Sequence, residues 1–541
     1  MKLRTLLFTL TGLLISAALM AQVDPSQEVI VIPGGVDNGG SIETTINGDT
    51  LADGTRANPN RIYELEAGQF YLQHAAINVS NTEGTITIRG QEGGKKPIIV
   101  KQALNEVNIG TNQINSSLVV QNLYWQVMQQ DNVLPWSHTN INGENHSLLV
   151  EDCLFEFCNG IIFNMNNVTA GAKATIRNSY FRDMQNGSGS QWWAGRVLQN
   201  KVPTDTLIFE NNTMTGAGLT ILPQECLIEY AVINHNTFIN NRKYPCLNQY
   251  WKECYFTNNL FVNANWVGED TVNVATGGQD PDALLHGIAG VDTITNKIAV
   301  AEKFKVPITD TTFNLTDDVD EISDYIFYAA DNVCVASATL DNYYSGGMNT
   351  VIDGAPASYL DWGGQGTGPW HVLSVPGIWM NSRSEAMVAD WDNLKSENNS
   401  IYEHTAEDLG FGTTILSQQG ADILAQWNQN KWAVPDVESP TEGWVENVHF
   451  GDYDPTTIPG VETEDGDGIT ELTDLVEDFS YTMTLTSVSD GTPIGAHTWF
   501  EVDWDSEAMT QHVKNAYNGI YIGVEEQREL ITSEFALRNY P

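Results

Sequence analysis

Basic residues are scarce in this chain of 541 residues. Lysine and arginine total 25 against 69 aspartates and glutamates, so the formal net charge is −44. Nucleic acids and anionic membrane surfaces require a basic protein surface, because their phosphate groups are repelled by an acidic one. The composition therefore argues against both as partners. We interpret the acidic excess as a solubilising surface rather than as a calcium-loading one.

Cysteines are also few, and none has the C-x-x-C spacing that is typical of zinc sites. A disulfide scaffold needs a much higher cysteine content in a short chain. We therefore interpret the cysteines as buried thiols, and a disulfide in an oxidising compartment stays open as the alternative. The residues concerned are Cys153, Cys158, Cys226, Cys246, Cys254 and Cys334.

Long apolar runs are absent except near the start of the chain. Lys2 and Arg4 precede an apolar run over residues 6–19, and Ala21 offers a cleavage point. This order predicts a secretory signal peptide over residues 1–21. A membrane anchor is the alternative, but a bilayer span needs about 20 apolar residues. We therefore expect no membrane span, and export to the periplasm, the outer surface or the medium.

One short phrase recurs throughout the first half of the chain. It is an apolar alternation, then asparagine or a polar substitute, then in most copies an aromatic residue three places later. A repeat of this period with strand-like alternation is typical of a solenoid. The polar position recurs at intervals of 23 to 33 residues, at Asn122, Asp152, Asn178, Asn211, His235 and Asn258.

The copies agree column by column, as expected for parallel strands stacked about 4.8 Å apart. Asparagine tolerates a left-handed bend, and its amide can bond to the copies above and below. We therefore interpret the polar column as a structural amide ladder, and Glu151, Arg177 and Glu210 as a charge ladder on the outer surface. The apolar column two places before the polar position is Val120, Val150, Ile176, Phe209, Ile233 and Phe256, and the column three places after it is Trp125, Phe155, Phe181, Met214, Phe238 and Phe261.

Two further stretches carry a resemblance to a known family. Residues 62–72 and 85–100, which end in Lys96-Pro97-Ile98-Ile99, resemble the first coils of parallel β-helices of the pectate-lyase type, with the pectin lyase fold. Residues 489–500 resemble the closing sequence of secreted β-helix proteins from glycan-degrading Gram-negative bacteria. The resemblance implies an all-β, right-handed parallel β-helix with long loops.

The rhythm of the repeat also predicts the organisation of the chain. We expect an N-terminal cap over residues 22–61, the β-helix over 62–340, and acidic, loop-rich coils that close it over 341–500. Apolar residues then recur at three and four places, which predicts a short helical tail over residues 501–541. Packing against the end of the β-helix is our preferred role for this helix, and binding of a partner is the alternative.

The resemblance also implies a function. Members of the family bind polysaccharide along one sheet, which here would contain strands at residues 161–165, 196–201, 219–222 and 246–251. We expect a secreted protein that acts on or binds an anionic polysaccharide, as a lyase that works by β-elimination. A non-catalytic, glycan-binding or structural β-helix of the cell surface is the alternative.

For a lyase, the resemblance assigns roles to residues near these strands. Either Arg242 or Lys243 would be the base, and Tyr250 would donate to the leaving oxygen. Arg196, Asn248 and Gln249 would hold the uronate carboxylate. Trp192, Trp193, Lys201 and Trp251 would contact the sugar rings and charges. The alternative is that the basic residues only bond to loops or balance an acidic surface.

Calcium is the one cofactor that the sequence leaves open. Residues 465–474 contain Asp465-Gly466-Asp467-Gly468 with Glu471 and Asp474, which is similar to a calcium-binding loop. Thr463 stands where the first ligand of such a loop should be. We therefore prefer to interpret this stretch as a solvated acidic linker, and the sequence predicts no metal site.

Overall fold

The computed structural model shows a stack of parallel strands wound into coils. Each coil contributes one strand to each of up to three sheets, and we call one turn of the coil a rung. The structure describes residues 28–35, 38–94, 96–101, 109–129, 136–156, 158, 160–169, 171–184, 195–200, 202–217, 221–223, 228–239, 241, 251–262, 326–336, 394–409 and 485–497.

Sheet 1 holds the strands that precede the polar position of the repeat. All of its neighbouring strands are parallel. In stacking order they are β1 (Val29–Ile32), β2 (Ile62–Leu65), β4 (Asn78–Gly90), β6 (Asn112–Gln121), β9 (Ser147–Glu151), β12 (Ala172–Arg177), β15 (Thr204–Glu210), β18 (Ile228–Asn234), β20 (Trp251–Thr257), β22 (Ile326–Ala330) and β24 (Leu394–Glu397).

Sheet 2 holds the strands that follow the polar position. Its strands are β3 (Phe70–Gln73), β5 (Ile98–Lys101), β7 (Tyr124–Gln129), β10 (Leu154–Glu156), β13 (Tyr180–Met184), β16 (Thr213–Ala217), β19 (Thr237–Ile239), β21 (Leu260–Val262), β23 (Val333–Ala336) and β25 (Ser400–Thr405). A short 3-10 helix, Glu407–Leu409, follows the last strand.

Sheet 3 completes the coils. It begins with the first halves of β4 and β6, which are long enough to take part in both sheet 3 and sheet 1. Its remaining strands are β8 (Ser137–Gly143), β11 (Ile161–Val168), β14 (Arg196–Asn200) and β17 (Ile221–Pro223). The predicted all-β parallel β-helix is therefore confirmed. The right-handed sense of the coil stays a prediction. It is expected because the crossovers between parallel strands are nearly always right-handed.

The bend between sheets 1 and 2 uses the same backbone conformation in each described rung from β6 onward. The φ angles at the polar position lie between 51° and 56°, in the left-handed region that asparagine tolerates. This confirms the bend predicted from the repeat. Two further bends, at Asp331 and Asn398, were not predicted, because long insertions interrupt the rhythm before them.

The continuous amide ladder lies one residue after the position predicted for it. The side-chain oxygen of Asn236 accepts hydrogen bonds from the backbone N–H and the Nδ2 of Asn212, at 3.0 and 3.1 Å. Asn259 does the same for Asn236, and the series continues through Asn332 to Asn399. The left-handed residue points outward, whereas the next residue points into the bend, where its side chain bonds to the copies in neighbouring rungs and to backbone carbonyls.

The inward columns form the core as predicted. Phe155 stacks on Phe181 with ring centroids 5.7 Å apart, and Phe238 stacks on Phe261 at 4.8 Å. Both inward columns are buried throughout. Cys153, Cys158, Cys254 and Cys334 are buried thiols without a disulfide, whereas Cys226 and Cys246 lie outside the described residues.

The outer surface of sheet 1 carries the predicted charge ladder. Arg177 pairs with Glu151 at 2.8 Å, and the Gln121 amide donates to Glu151 at 2.9 Å. Farther along, Asn234 donates to Glu210 at 2.9 Å. Partly exposed pairs of this kind contribute about 0–1 kcal/mol each.

The predicted boundaries of the regions stay predictions. Within residues 22–61, β1 pairs with β2, and the helix α1 (Ser41–Gly48) buries Ile42 and Ile46 against the first coils. Coils continue beyond residue 340 as β24 and β25. The predicted helical tail lies outside the described residues.

We expect Asn236→Ala to lower the free energy of unfolding by roughly 2–4 kcal/mol, because it leaves the N–H of Asn212 and the carbonyl of Phe209 buried without partners. Denaturant titration checks this, with Asn38→Ala, at an exposed position, as the control. Equal stability of the two variants would contradict the structural role of the ladder.

Candidate functional site

The outer surface of sheet 3 carries two columns of uncharged polar side chains. They lie outward because the intervening residues, such as Ile114, Ile141 and Met165, are buried in the core. Only Gln199 is fully buried, and the others are partly or fully exposed. We call these residues the amide face. They are Asn78, Gln113, Asn140, Asn164 and Gln199 in one column, and Ser80, Asn115, Asn142 and Asn167 in the other.

Hydrogen bonds between rungs fix the orientation of these amides. Asn167 Nδ2 donates to Asn142 Oδ1 at 2.8 Å, and Asn142 Nδ2 donates to Asn115 Oδ1 at 3.0 Å. Asn140 Nδ2 donates to Gln113 at 3.4 Å. Every one of these donors points toward the preceding rung. Each amide offers two donor hydrogens and two acceptor lone pairs, so the face keeps capacity for a ligand.

Arg196 lies at the edge of the amide face, at the start of β14. Its Nη1 donates to Gln199 Oε1 at 2.6 Å, and Gln199 is in register with Asn164. The Arg196 residue is only 3% exposed. In this position the guanidinium orients the Gln199 amide, and it reaches a carboxylate or a hydroxyl at the outer surface only if its side chain turns outward.

Three of the four strands predicted to form the substrate sheet are neighbours in sheet 3. β11, β14 and β17 pair side by side in sheet 3, as expected for residues 161–165, 196–201 and 219–222. Of the fourth predicted strand, residues 246–251, only Trp251 is among the described residues. Trp251 opens β20 in sheet 1, in register with the buried Ile228, and its ring packs on Phe327 at 6.1 Å.

This position separates Trp251 from Arg196. Trp251 is 2% exposed, so its ring is a core contact that cannot stack on a sugar at the outer surface. The other predicted site residues lie outside the described residues, and their roles stay predictions: Trp192, Trp193, Lys201, Arg242, Lys243, Asn248, Gln249 and Tyr250. The same holds for the calcium-like stretch at residues 465–474.

Sequence reasoning missed the amides of the face itself. A signal for them is present, because amides alternate with apolar residues in Gln113-Ile114-Asn115, Asn140-Ile141-Asn142 and Asn164-Met165-Asn166. This alternation predicts an amide-rich outward surface. The repeat at the bend is the more regular of the two sequence patterns, and it predicts the fold rather than the amide face.

The described ranges contain no group of three or more His, Cys, Asp or Glu side chains placed to hold a metal ion. Among the helices of those same ranges, none has the length and apolar character needed to cross a bilayer.

Residues 485–497, which we call the closing segment, lie along the outside of the bend. The backbone N–H groups of Val488 and Ser489 donate to Asp331, and the N–H of His497 donates to Asn211 Oδ1 at 2.6 Å. His235 Nε2 contacts Asp490 Oδ2 at 2.9 Å, and the His235 ring lies 4.4 Å from that of His497. The segment therefore spans the rungs from Asn211 to Asp331.

These contacts explain why histidine and aspartate stand in place of asparagine at the bends of His235 and Asp331. His235 bonds the side chains of Asp490 and Thr492 and the carbonyl of Gly495. Burial alone would raise the pKa of Asp490, but hydrogen bonds from Thr492 and His235 outweigh it and lower that pKa to about 2. The contribution of Asp490 is therefore present above its ordinary pKa of about 4 and is lost as the pH falls toward 2.

A buried amine lies in the first coils, apart from the amide face. Lys101 is completely buried, and its Nζ donates to the carbonyl of Gly110 at 3.2 Å. Burial lowers its pKa to about 8, although the nearby Cys158 acts in the opposite direction. Burial and Lys101 also hold the pKa of His138 well below its usual value.

A comparison with models of known protein families gives no match for this chain. A comparison with curated proteins gives none either.

We expect His235→Asn to loosen the closing segment without opening the bend, because asparagine tolerates the left-handed conformation. The backbone amides of residues 495–497 should exchange with solvent roughly five- to tenfold faster, which corresponds to about 1 kcal/mol. Hydrogen exchange measured by mass spectrometry checks this, with His146→Asn as the control. Unchanged exchange in His235→Asn would contradict the role of His235.

We expect Lys101→Met to stabilise the fold by about 2–3 kcal/mol near pH 7, because both states of the wild type are protonated there and the folded state buries the charge. Between about pH 8 and the ordinary lysine pKa of about 10.4, the unfolded wild type binds more protons, so its stability rises with pH. The difference between the proteins should therefore shrink over this window in denaturant titrations. A difference that is constant with pH would contradict the burial of the charge.

Proposed function

We propose that the protein binds an extended polysaccharide along the amide face. The observation that carries this proposal is the register of Asn140 with Asn164 and of Asn142 with Asn167 on the solvent side of sheet 3. Amides both donate and accept hydrogen bonds, and so do sugar hydroxyls. Because the amides repeat at each rung, about 4.8 Å apart, they suit a polymer better than a single sugar.

A purely structural role explains the bend ladder better than it explains the amide face. Asn236 and Asn259 are completely buried, and their side chains bond to their own copies and to backbone carbonyls. By contrast, Asn142 and Asn164 are partly exposed. Within the described residues, the Nδ2 of Asn164 has no acceptor, although its Oδ1 accepts from the N–H of Asn166.

The second candidate is the lyase predicted from the sequence, acting on an acidic glycan. In this reaction a base removes the C5 proton, the C4–O bond breaks, a C4–C5 double bond forms, and the leaving oxygen takes up a proton. Arg196, beside Gln199 at the edge of the amide face, is the described residue that favours this candidate, and it donates to a uronate carboxylate only if its buried side chain turns outward. Export of the protein is part of the proposal for either candidate.

We expect the double variant Asn140→Ala/Asn164→Ala to bind glycan about 30-fold more weakly, because it removes two or more hydrogen bonds of about 1 kcal/mol each. Affinity electrophoresis against a panel of soluble polysaccharides measures this. Thr175→Ala, at a partly exposed position on the outer face of sheet 1, is the matched control. Thermal unfolding of each variant separates a lost site from a lost fold.

Absence of wild-type binding to every glycan of the panel would overturn the proposal. So would wild-type affinity in the double variant. For the lyase candidate, new absorbance from C4–C5 double bonds with alginate, pectate or glycosaminoglycans is the expected sign. No absorbance with retained binding would leave only the binding role, and full activity in Arg242→Ala/Lys243→Ala would exclude that pair as the base.

A further inference from the structure

We infer that the polysaccharide held by the amide face is neutral. This inference rests on the proposed function and names the substrate class of the same site. It opposes the acidic glycan of the second candidate, so the two make different predictions about charge.

The amide face consists of uncharged side chains. Its side chains are amides and one hydroxyl, and none carries a formal charge. Arg196, at the edge of the face, is 3% exposed, and its guanidinium is already bonded to Gln199. A carboxylate placed on Asn140 or Asn142 would meet neutral amides only, and a desolvated charge without a countercharge is costly.

The net charge of the whole protein also disfavours an acidic ligand. A net charge of −44 gives an electrostatic potential that repels a polyanion, just as it repels nucleic acid. Screening reduces this repulsion beyond a Debye length of about 8 Å at physiological ionic strength, but not at the contact surface. A polyanion site on such a protein needs a basic patch, and the described part of the amide face is not basic.

The amides of the face are also complementary to the hydroxyl groups of a neutral sugar. The amides of Asn115, Asn142 and Asn167 are held in one orientation by bonds between the rungs. A preorganised row of this kind presents its remaining hydrogen-bonding groups at a fixed spacing, so binding costs little side-chain entropy. Neutral hydroxyls match such a row without a penalty for charge burial.

The test compares polymers that differ in charge alone. Pectate and alginate are each reduced at the carboxyl groups to give the neutral polymer with the same linkage, and carboxymethylation of a neutral β-glucan gives the reverse pair. The wild-type protein is titrated with each member at low and high salt. We expect the neutral member of at least one pair to bind about tenfold or more tightly than its acidic partner, with little change in affinity on adding salt.

A gain-of-charge variant sharpens the test. Asn140→Lys adds a cation to the centre of the face, and it should increase affinity for the acidic member in a salt-sensitive manner. Asn140→Gln keeps the amide and serves as its control.

Each outcome decides one of the two claims. Tighter binding of the acidic members, weakened by salt, would overturn the neutral ligand while leaving the binding function in place. Failure of every polymer to bind would overturn the proposed function, and the neutral ligand with it. Tight neutral binding that Asn140→Ala/Asn164→Ala leaves unchanged would show that the ligand lies elsewhere and would also overturn the inference.

Discussion

At the bend between sheets 1 and 2, from Ser179 onward, a left-handed residue is followed by a buried residue whose side chain accepts from the backbone of the preceding rung. In the later coils that residue is asparagine, and Asn236 shows the arrangement, since it accepts from Asn212 and donates to Phe209 and Asn259. A buried amide cannot be left unsatisfied without a cost of about 1–3 kcal/mol. Each rung is therefore held in register with the next, and a shift of one residue would expose the core columns.

The register of the parallel strands sets the positions of the side chains on the outer surfaces. Strand pairing aligns Asn140 with Asn164 and Asn142 with Asn167 on sheet 3, so that single amides form the continuous amide face. It also aligns the outward side chains of the bend, where the closing segment binds across several rungs through His235 and Asp331. The inward side chains of these strands thus form the core, whereas their outward side chains lie at the surface, where a ligand can contact them.

The repeat, the core columns and the left-handed bends could be predicted from the sequence, because each depends on residues close together in the chain. The true ladder was displaced by one place, since Asn211-Asn212 and Asn258-Asn259 are pairs in which composition does not say which amide faces inward. The contact of His235 with Asp490 joins residues 255 positions apart, beyond any local pattern. Trp251 is predicted on the substrate sheet because it is an aromatic residue at the end of the strand expected at residues 246–251. Its register with Ile228 places it in the core instead.

The most direct measurement is a crystal structure of the protein soaked with a neutral oligosaccharide long enough to cover several rungs. We predict sugar density along β8, β11 and β14, with hydroxyls bonded to Asn140, Asn142 and Asn164. Density on sheet 1 or sheet 2, with the amide face covered only by water, would contradict this prediction.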